Sequence, residues 1–120
     1  MNLKIVSLDS FKRDAKKLLK KYKQLPKDLK NLQEELLSNP KAGIELSNNC
    51  FKIRLANSST PTGKSGGFRI IYYYLDKENN IYLLSIYSKS ELENISHDKI
   101  LSILLEYGLD KNAWKRDSYS

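Results

Sequence analysis

Cysteine, histidine and tryptophan each occur once in this sequence, and no apolar run approaches the roughly 20 residues that a membrane span needs. A lone Cys50 closes no internal disulfide and builds no cysteine-based metal cage, which fits a reducing cytoplasm. Its plain reading is a small, half-buried strand residue rather than a nucleophile. The start, Met-Asn-Leu-Lys-Ile-Val-Ser-Leu-Asp, lacks the charged opening, long apolar stretch and small-residue cleavage site of a signal peptide, so a cytoplasmic location is expected and a membrane partner is not.

What the chain has instead is positive charge. Its 21 Lys and Arg against 14 Asp and Glu leave a net charge of +7 on 120 residues, which favours a polyanionic partner: RNA, DNA or an acidic protein segment. With 40% hydrophobic and 29% charged residues the chain reads as globular, and its length suits one domain over residues 1–120.

Leu3 to Leu8 is short and β-rich, and Asp9-Ser10 follows as a helix start. Phe11, Ala15, Leu18, Leu19 and Tyr22 recur at helical spacing, while Lys12, Arg13, Lys16, Lys17, Lys20 and Lys21 cover the remaining surface. That lysine-rich face reads as solvated, and is equally suited to sequence-independent phosphate contacts. Pro26 suits the first turn of a second helix, with Leu29, Leu32 and Leu36 as its stripe and Asn39-Pro40 as its end. From Phe51 to Leu55 apolar and basic residues alternate with period two, which puts Lys52 and Arg54 on one face of a strand. Phe68 to Leu75 and Ile81 to Tyr87 are two further strands, joined as a hairpin through the polar turn at 76–80. Ile95, Ile100, Ile103, Leu104 and Tyr107 mark a last helix, with Ser96 as cap and Gly108 as stop. The tail after about 109 is polar apart from Trp114 and is expected to be loosely ordered or to dock through the indole.

The predicted order is strand, helix, helix, three strands, helix: an α+β domain with helices on one face of a mainly antiparallel sheet and the other face free. Gly63-Lys64-Ser65 ends like a nucleotide-binding loop, but Ser58 stands where that pattern needs Gly, and a strand follows where it needs a helix. The loop's glycines suit either an anion-binding nest, with Lys64 on a phosphate, or a plain hairpin connection.

Three blocks, Phe51-Lys-Ile-Arg-Leu-Ala, Gly63-Lys-Ser-Gly-Gly-Phe-Arg-Ile-Ile-Tyr-Tyr and Ile81-Tyr-Leu-Leu-Ser-Ile-Tyr-Ser-Lys-Ser-Glu, together resemble the RelE/HigB family of toxin–antitoxin toxins. The segment order on either side agrees, so the resemblance spans nearly the whole chain up to Gly108. It implies a RelE-like sheet with helices behind it, cleavage of messenger RNA without metal or cofactor, often in the ribosomal decoding site, and neutralisation by a cognate antitoxin.

Such cleavage makes a 2′-hydroxyl attack its own phosphate, which requires a proton acceptor, charge stabilisation and a proton for the leaving 5′-oxygen. Arginine suits the second task, because its fork holds two phosphate oxygens and stays charged. By resemblance Arg69 is the central phosphate-binding residue, Lys52 and Arg54 are the basic pair on the preceding strand, and Lys89 holds phosphate or protonates the leaving group. An ordinary lysine, with a pKa near 10.4, is a poor base at neutral pH, so Lys52 could take that role only with neighbouring positive charge to depress it. The family's tyrosine, expected several residues after the last basic residue, is absent, and Ile95 or a neighbour stands there. Tyr87 shares strand parity with Lys89, and Tyr73 with Arg69, so either could stack on a base or replace the lost group; plain sheet packing is the alternative for both. His97, at the start of a helix, reads as a surface residue, and two-histidine ribonuclease chemistry is excluded. Two other functions remain open: a same-fold toxin of the ParE type that poisons DNA gyrase, and a non-catalytic RNA-binding module.

Overall fold

The computed structural model describes residues 2–61 and 66–109. Lys64 and Trp114 therefore lie outside the described residues. One five-stranded sheet runs in the order β1-β5-β4-β3-β2, formed by β1 (Lys4–Ser7), β2 (Ile44–Glu45), β3 (Cys50–Leu55), β4 (Phe68–Leu75) and β5 (Asn80–Ser88). All neighbouring pairs are antiparallel except β1 with β5. Three helices complete the domain: α1 (Asp9–Lys21), α2 (Leu25–Ser38) and α3 (His97–Glu106).

The alternation in β3 divides the sheet as expected, with Phe51, Ile53 and Leu55 entering a core against Phe11, Leu18 and Tyr22 of α1 and Leu32 and Leu36 of α2. One expectation fails. The sheet's second face is not free, because α3 lays Ile100, Ile103 and Leu104 on Cys50, Ile71, Tyr73, Leu84 and Tyr87 as a second core. The reason lies in β4, whose Phe68, Ile70 and Tyr72 point one way while Ile71 and Tyr73 point the other, so both faces need cover. Lys52, Arg54 and Arg69 keep one end of that face polar.

Caps and turns follow local chemistry. Ser96 accepts the Lys99 amide at 3.1 Å at the start of α3, and Gly108 leaves the helix at φ 71°. Asn79 takes the left-handed conformation at φ 56° before β5. At α1 the expected cap is corrected: Leu8 holds the cap position without a side-chain bond, and Ser10 already lies inside the helix. Leu19, assigned to the buried stripe, is 40% exposed.

Ser10 and Asp14 serve β5 instead. Ile71 pairs with Ser85 but Tyr72 with Leu83, which leaves Leu84 as an extra residue, a β-bulge. The Ser10 hydroxyl donates to the Leu84 carbonyl at 2.6 Å, and the Asp14 carboxylate accepts from the Ser85 hydroxyl at 2.8 Å and the Ile86 amide at 3.2 Å. Before the bulge Ile81 and Leu83 face α1 and α2; after it Ile86 does, and Tyr87 joins the opposite face. The bulge thus puts Tyr87 on the second face, opposite Arg69. Asp14→Ala should cost about 1–3 kcal/mol by stripping two partners from the bulge, measurable by urea denaturation; an unchanged midpoint would show that the bulge stands without α1.

Candidate functional site

Register places Arg54 opposite Arg69, and Arg69 opposite Tyr87, so the three side chains form one row across β3, β4 and β5. Lys52 lies two residues along β3, and its ammonium reaches the Asn94 side-chain oxygen at 3.3 Å. At the end of β5 the Lys89 amide closes the ladder on the Gly67 carbonyl at 3.0 Å. Its ammonium meets the Glu93 carbonyl at 3.2 Å, with the Glu93 carboxylate at 3.9 Å. Residues 89–96 therefore form a strap from β5 to α3 that contacts both lysines. Glu91 ties the strap to α1 through Lys21 at 3.0 Å, an exposed pair of small energetic weight.

Arg69 is only 6% exposed, whereas Arg54 stands open to solvent. Burial first, and then the charge of Arg54, pull the Arg69 guanidinium down from its ordinary value, while Tyr87 opposes both. One Arg69 N–H donates to the Phe68 carbonyl at 3.3 Å. Like charges directly opposite on neighbouring strands destabilise a sheet. An anion between the two guanidinium forks would convert that repulsion into attraction, and phosphate fits the geometry because each fork holds two oxygens.

Tyr87 is buried, and its hydroxyl has no hydrogen-bond partner among the described residues. Burial pushes this phenol up; the Ile95 amide and the Arg69 charge pull the other way, yet no bond of acceptable geometry reaches the oxygen. A buried polar atom left this way costs stability. Tyr87→Phe should therefore raise stability by about 1 kcal/mol while lowering any activity that uses the hydroxyl, a trade that thermal melts and a rate assay would reveal together.

The remaining expectations divide. Tyr73, proposed to stack on a base, is 1% exposed beneath α3 and belongs to the second core, so this conformation does not present it to a ligand. His97 lies exposed in the first turn of α3. Cys50 is fully buried, more than the half-buried position expected, and burial pushes its thiol up to about 12, which keeps it protonated and inert. Among the described residues no cluster of three or more His, Cys, Asp or Glu could hold a metal ion. Nor is any helix there long and apolar enough to cross a membrane. Sequence reasoning missed Glu93 and Asn94; the acidic run just after a basic strand end was the available signal.

No protein-family model matches the chain. Solved structures do. The isolated E. coli RelE toxin superposes with a TM-score of 0.55 at 17% identity, covering 84% of this chain and 95% of its own. This chain has the RelE fold. A mutant of E. coli RelE in the free state gives a TM-score of 0.53 at 19% identity over 78% of this chain and 90% of that one. A mutant RelE in complex with an antitoxin RelBc peptide gives 0.51 at 19% identity over 85% and 93%. The RelE fold thus accounts for nearly the whole of those chains, and the Arg54–Arg69–Tyr87 row lies on its central strands.

Proposed function

We propose that this chain is the toxin of a toxin–antitoxin pair, an endoribonuclease that cuts messenger RNA on the ribosome and stops translation until a cognate antitoxin binds. One observation carries the reading: two arginines, one almost buried, stand in register on neighbouring strands of a chain of net charge +7, an arrangement that an anion would relieve. Support also comes from the RelE fold, whose solved examples include a toxin bound to an antitoxin peptide.

The chemistry follows from the row. Arg54 and Arg69 hold the non-bridging oxygens of the scissile phosphate and stabilise the charge that gathers as the 2′-oxygen attacks phosphorus. The P–O5′ bond then breaks, leaving a 2′,3′-cyclic phosphate on one fragment and a 5′-hydroxyl on the other. The 2′-hydroxyl proton passes to solvent as its oxygen attacks, and Lys89, at the end of β5, is the donor assigned to the departing 5′-oxygen, while Lys52 on β3 adds positive charge beside the row. The Tyr87 hydroxyl is buried and not presented to RNA in this conformation, so its part is to act on the site through the Arg69 guanidinium to which it is electrostatically coupled.

The ends of the products test this directly. Programmed ribosomes incubated with the purified chain should yield fragments ending in 2′,3′-cyclic phosphate and 5′-hydroxyl. Fragments carrying 5′-phosphate would exclude attack by the neighbouring 2′-hydroxyl. Uncut messenger together with blocked DNA supercoiling would favour gyrase poisoning.

A further inference from the structure

The edge of the sheet next to the arginine row offers a second, unassigned feature. Two-residue β2 pairs only with Phe51 and Lys52, so among the described residues no strand covers β3 from Ile53 onward on that side. A cavity of about 210 Å³ lies against this open edge. Ala42, Ile44 and Ile53 supply apolar walls, and Lys52 and Arg54 stand at the cavity as well as in the arginine site. Ile44 is 66% exposed, so its apolar surface gains cover from whatever enters. Glu35 of α2 is the one carboxylate in the lining, and no hydrogen bond or ion pair engages its side chain among the described residues.

The cavity is held in shape. The Tyr72 hydroxyl donates to the Pro40 carbonyl at 2.8 Å and accepts from the Gly43 amide at 3.0 Å, which fixes the chain entering β2. A Cβ on Gly43 would come within 2.8 Å of the Lys52 carbonyl, so only glycine lets this segment lie so close to β3. The space is below the roughly 300–1,000 Å³ of pockets for drug-sized molecules, and so suits a single planar ring system.

We propose that this cavity is a base subsite, taking a guanine that flanks the phosphate held by Arg54 and Arg69, with Glu35 accepting from the base. The inference rests on the RNA-binding reading of that row. An ionised carboxylate only accepts hydrogen bonds, through two oxygens side by side. Guanine alone among the four bases presents two adjacent donors, N1–H and the N2 amino group, on its Watson–Crick edge, whereas cytosine and adenine present one amino group and uracil one ring N–H. Single-stranded RNA is read by such edge contacts with splayed-out bases. Shared use of Arg54 by cavity and row joins base recognition to phosphate binding.

Titration of the full-length ¹⁵N-labelled chain with guanosine 3′,5′-bisphosphate and with cytidine 3′,5′-bisphosphate tests the assignment. The Gly43, Ile44 and Ile53 amides should shift, and the guanosine compound should bind about 5- to 150-fold more tightly, the range for one bidentate base contact. Glu35→Gln should collapse that ratio toward one, and Arg69→Ala should weaken both compounds alike. Unmoved amides at those three positions, or a ratio that survives Glu35→Gln, would overturn the subsite. Cleavage is scored separately: seating of the guanosine compound without any RNA cutting would sink the nuclease reading and leave the subsite standing, while cutting with no guanine preference would sink the subsite alone.

Discussion

Arg69→Ala should slow RNA cleavage by about 10²- to 10³-fold, the usual cost of removing one preorganised donor from a developing oxyanion. The chain should stay folded. Arg69 donates to the neighbouring Phe68 carbonyl, and burial and the charge of Arg54 both disfavour its charged form. Loss of its stem and gain from relieved repulsion work in opposite directions, so a cooperative melt near the wild-type temperature is expected. Arg69→Lys separates charge from geometry. It keeps the cation but loses the fork, and should recover only part of the rate. A fully active Arg69→Ala chain would remove the centre of the proposed site, whatever the fold.

Phe68→Ala, one residue earlier, should do the reverse: a loss of about 3–5 kcal/mol of stability, with any activity lost only through unfolding. Phe68 is fully buried, lies edge-on to the Tyr22 ring with centroids 5.4 Å apart, and pairs with Leu55 and Ser88 across the sheet. Because its removal joins α1 to an empty space at the heart of the first core, little relaxation can fill the void. Against a total stability of about 5–15 kcal/mol for an ordinary domain, that loss leaves a substantial unfolded fraction at 37 °C. Urea denaturation measures it, and a cost below about 1 kcal/mol would mean that the first core does not depend on this ring. The two substitutions on neighbouring residues of one strand are thus expected to separate stability from the proposed activity by strand parity alone.

Much of this arrangement could be read from local pattern. The period-two alternation Phe51-Lys52-Ile53-Arg54-Leu55 was enough to put Lys52 and Arg54 together away from the core, and the run from Phe68 to Leu75 matches β4 end for end. Ser96, Gly108 and Pro26 marked helix ends because capping chemistry is local. Long-range contacts stayed hidden. The bulge at Leu84 is bonded by Ser10 and Asp14, far earlier in the chain, and nothing near Leu84 announces an extra residue. Two-residue β2 is too short to show any period. The position of α3 was foreshadowed by Ile71 and Tyr73 alternating with Ile70 and Tyr72, a strand apolar on both faces, but the second core is recognised only once α3 lies on it. Tyr73 shows the limit of parity: it shares a face with Arg69 yet is sealed beneath that helix.

The central claim is that the Arg54–Arg69–Tyr87 row cuts messenger RNA. Primer extension on messenger from cells expressing the wild-type chain or Arg69→Ala, repeated with purified messenger in the presence and absence of ribosomes, tests it most directly. The account predicts new 5′ ends within coding sequence for the wild-type chain, dependent on ribosomes, and none for Arg69→Ala. Identical end patterns for the two chains, or growth arrest with intact messenger, would contradict it.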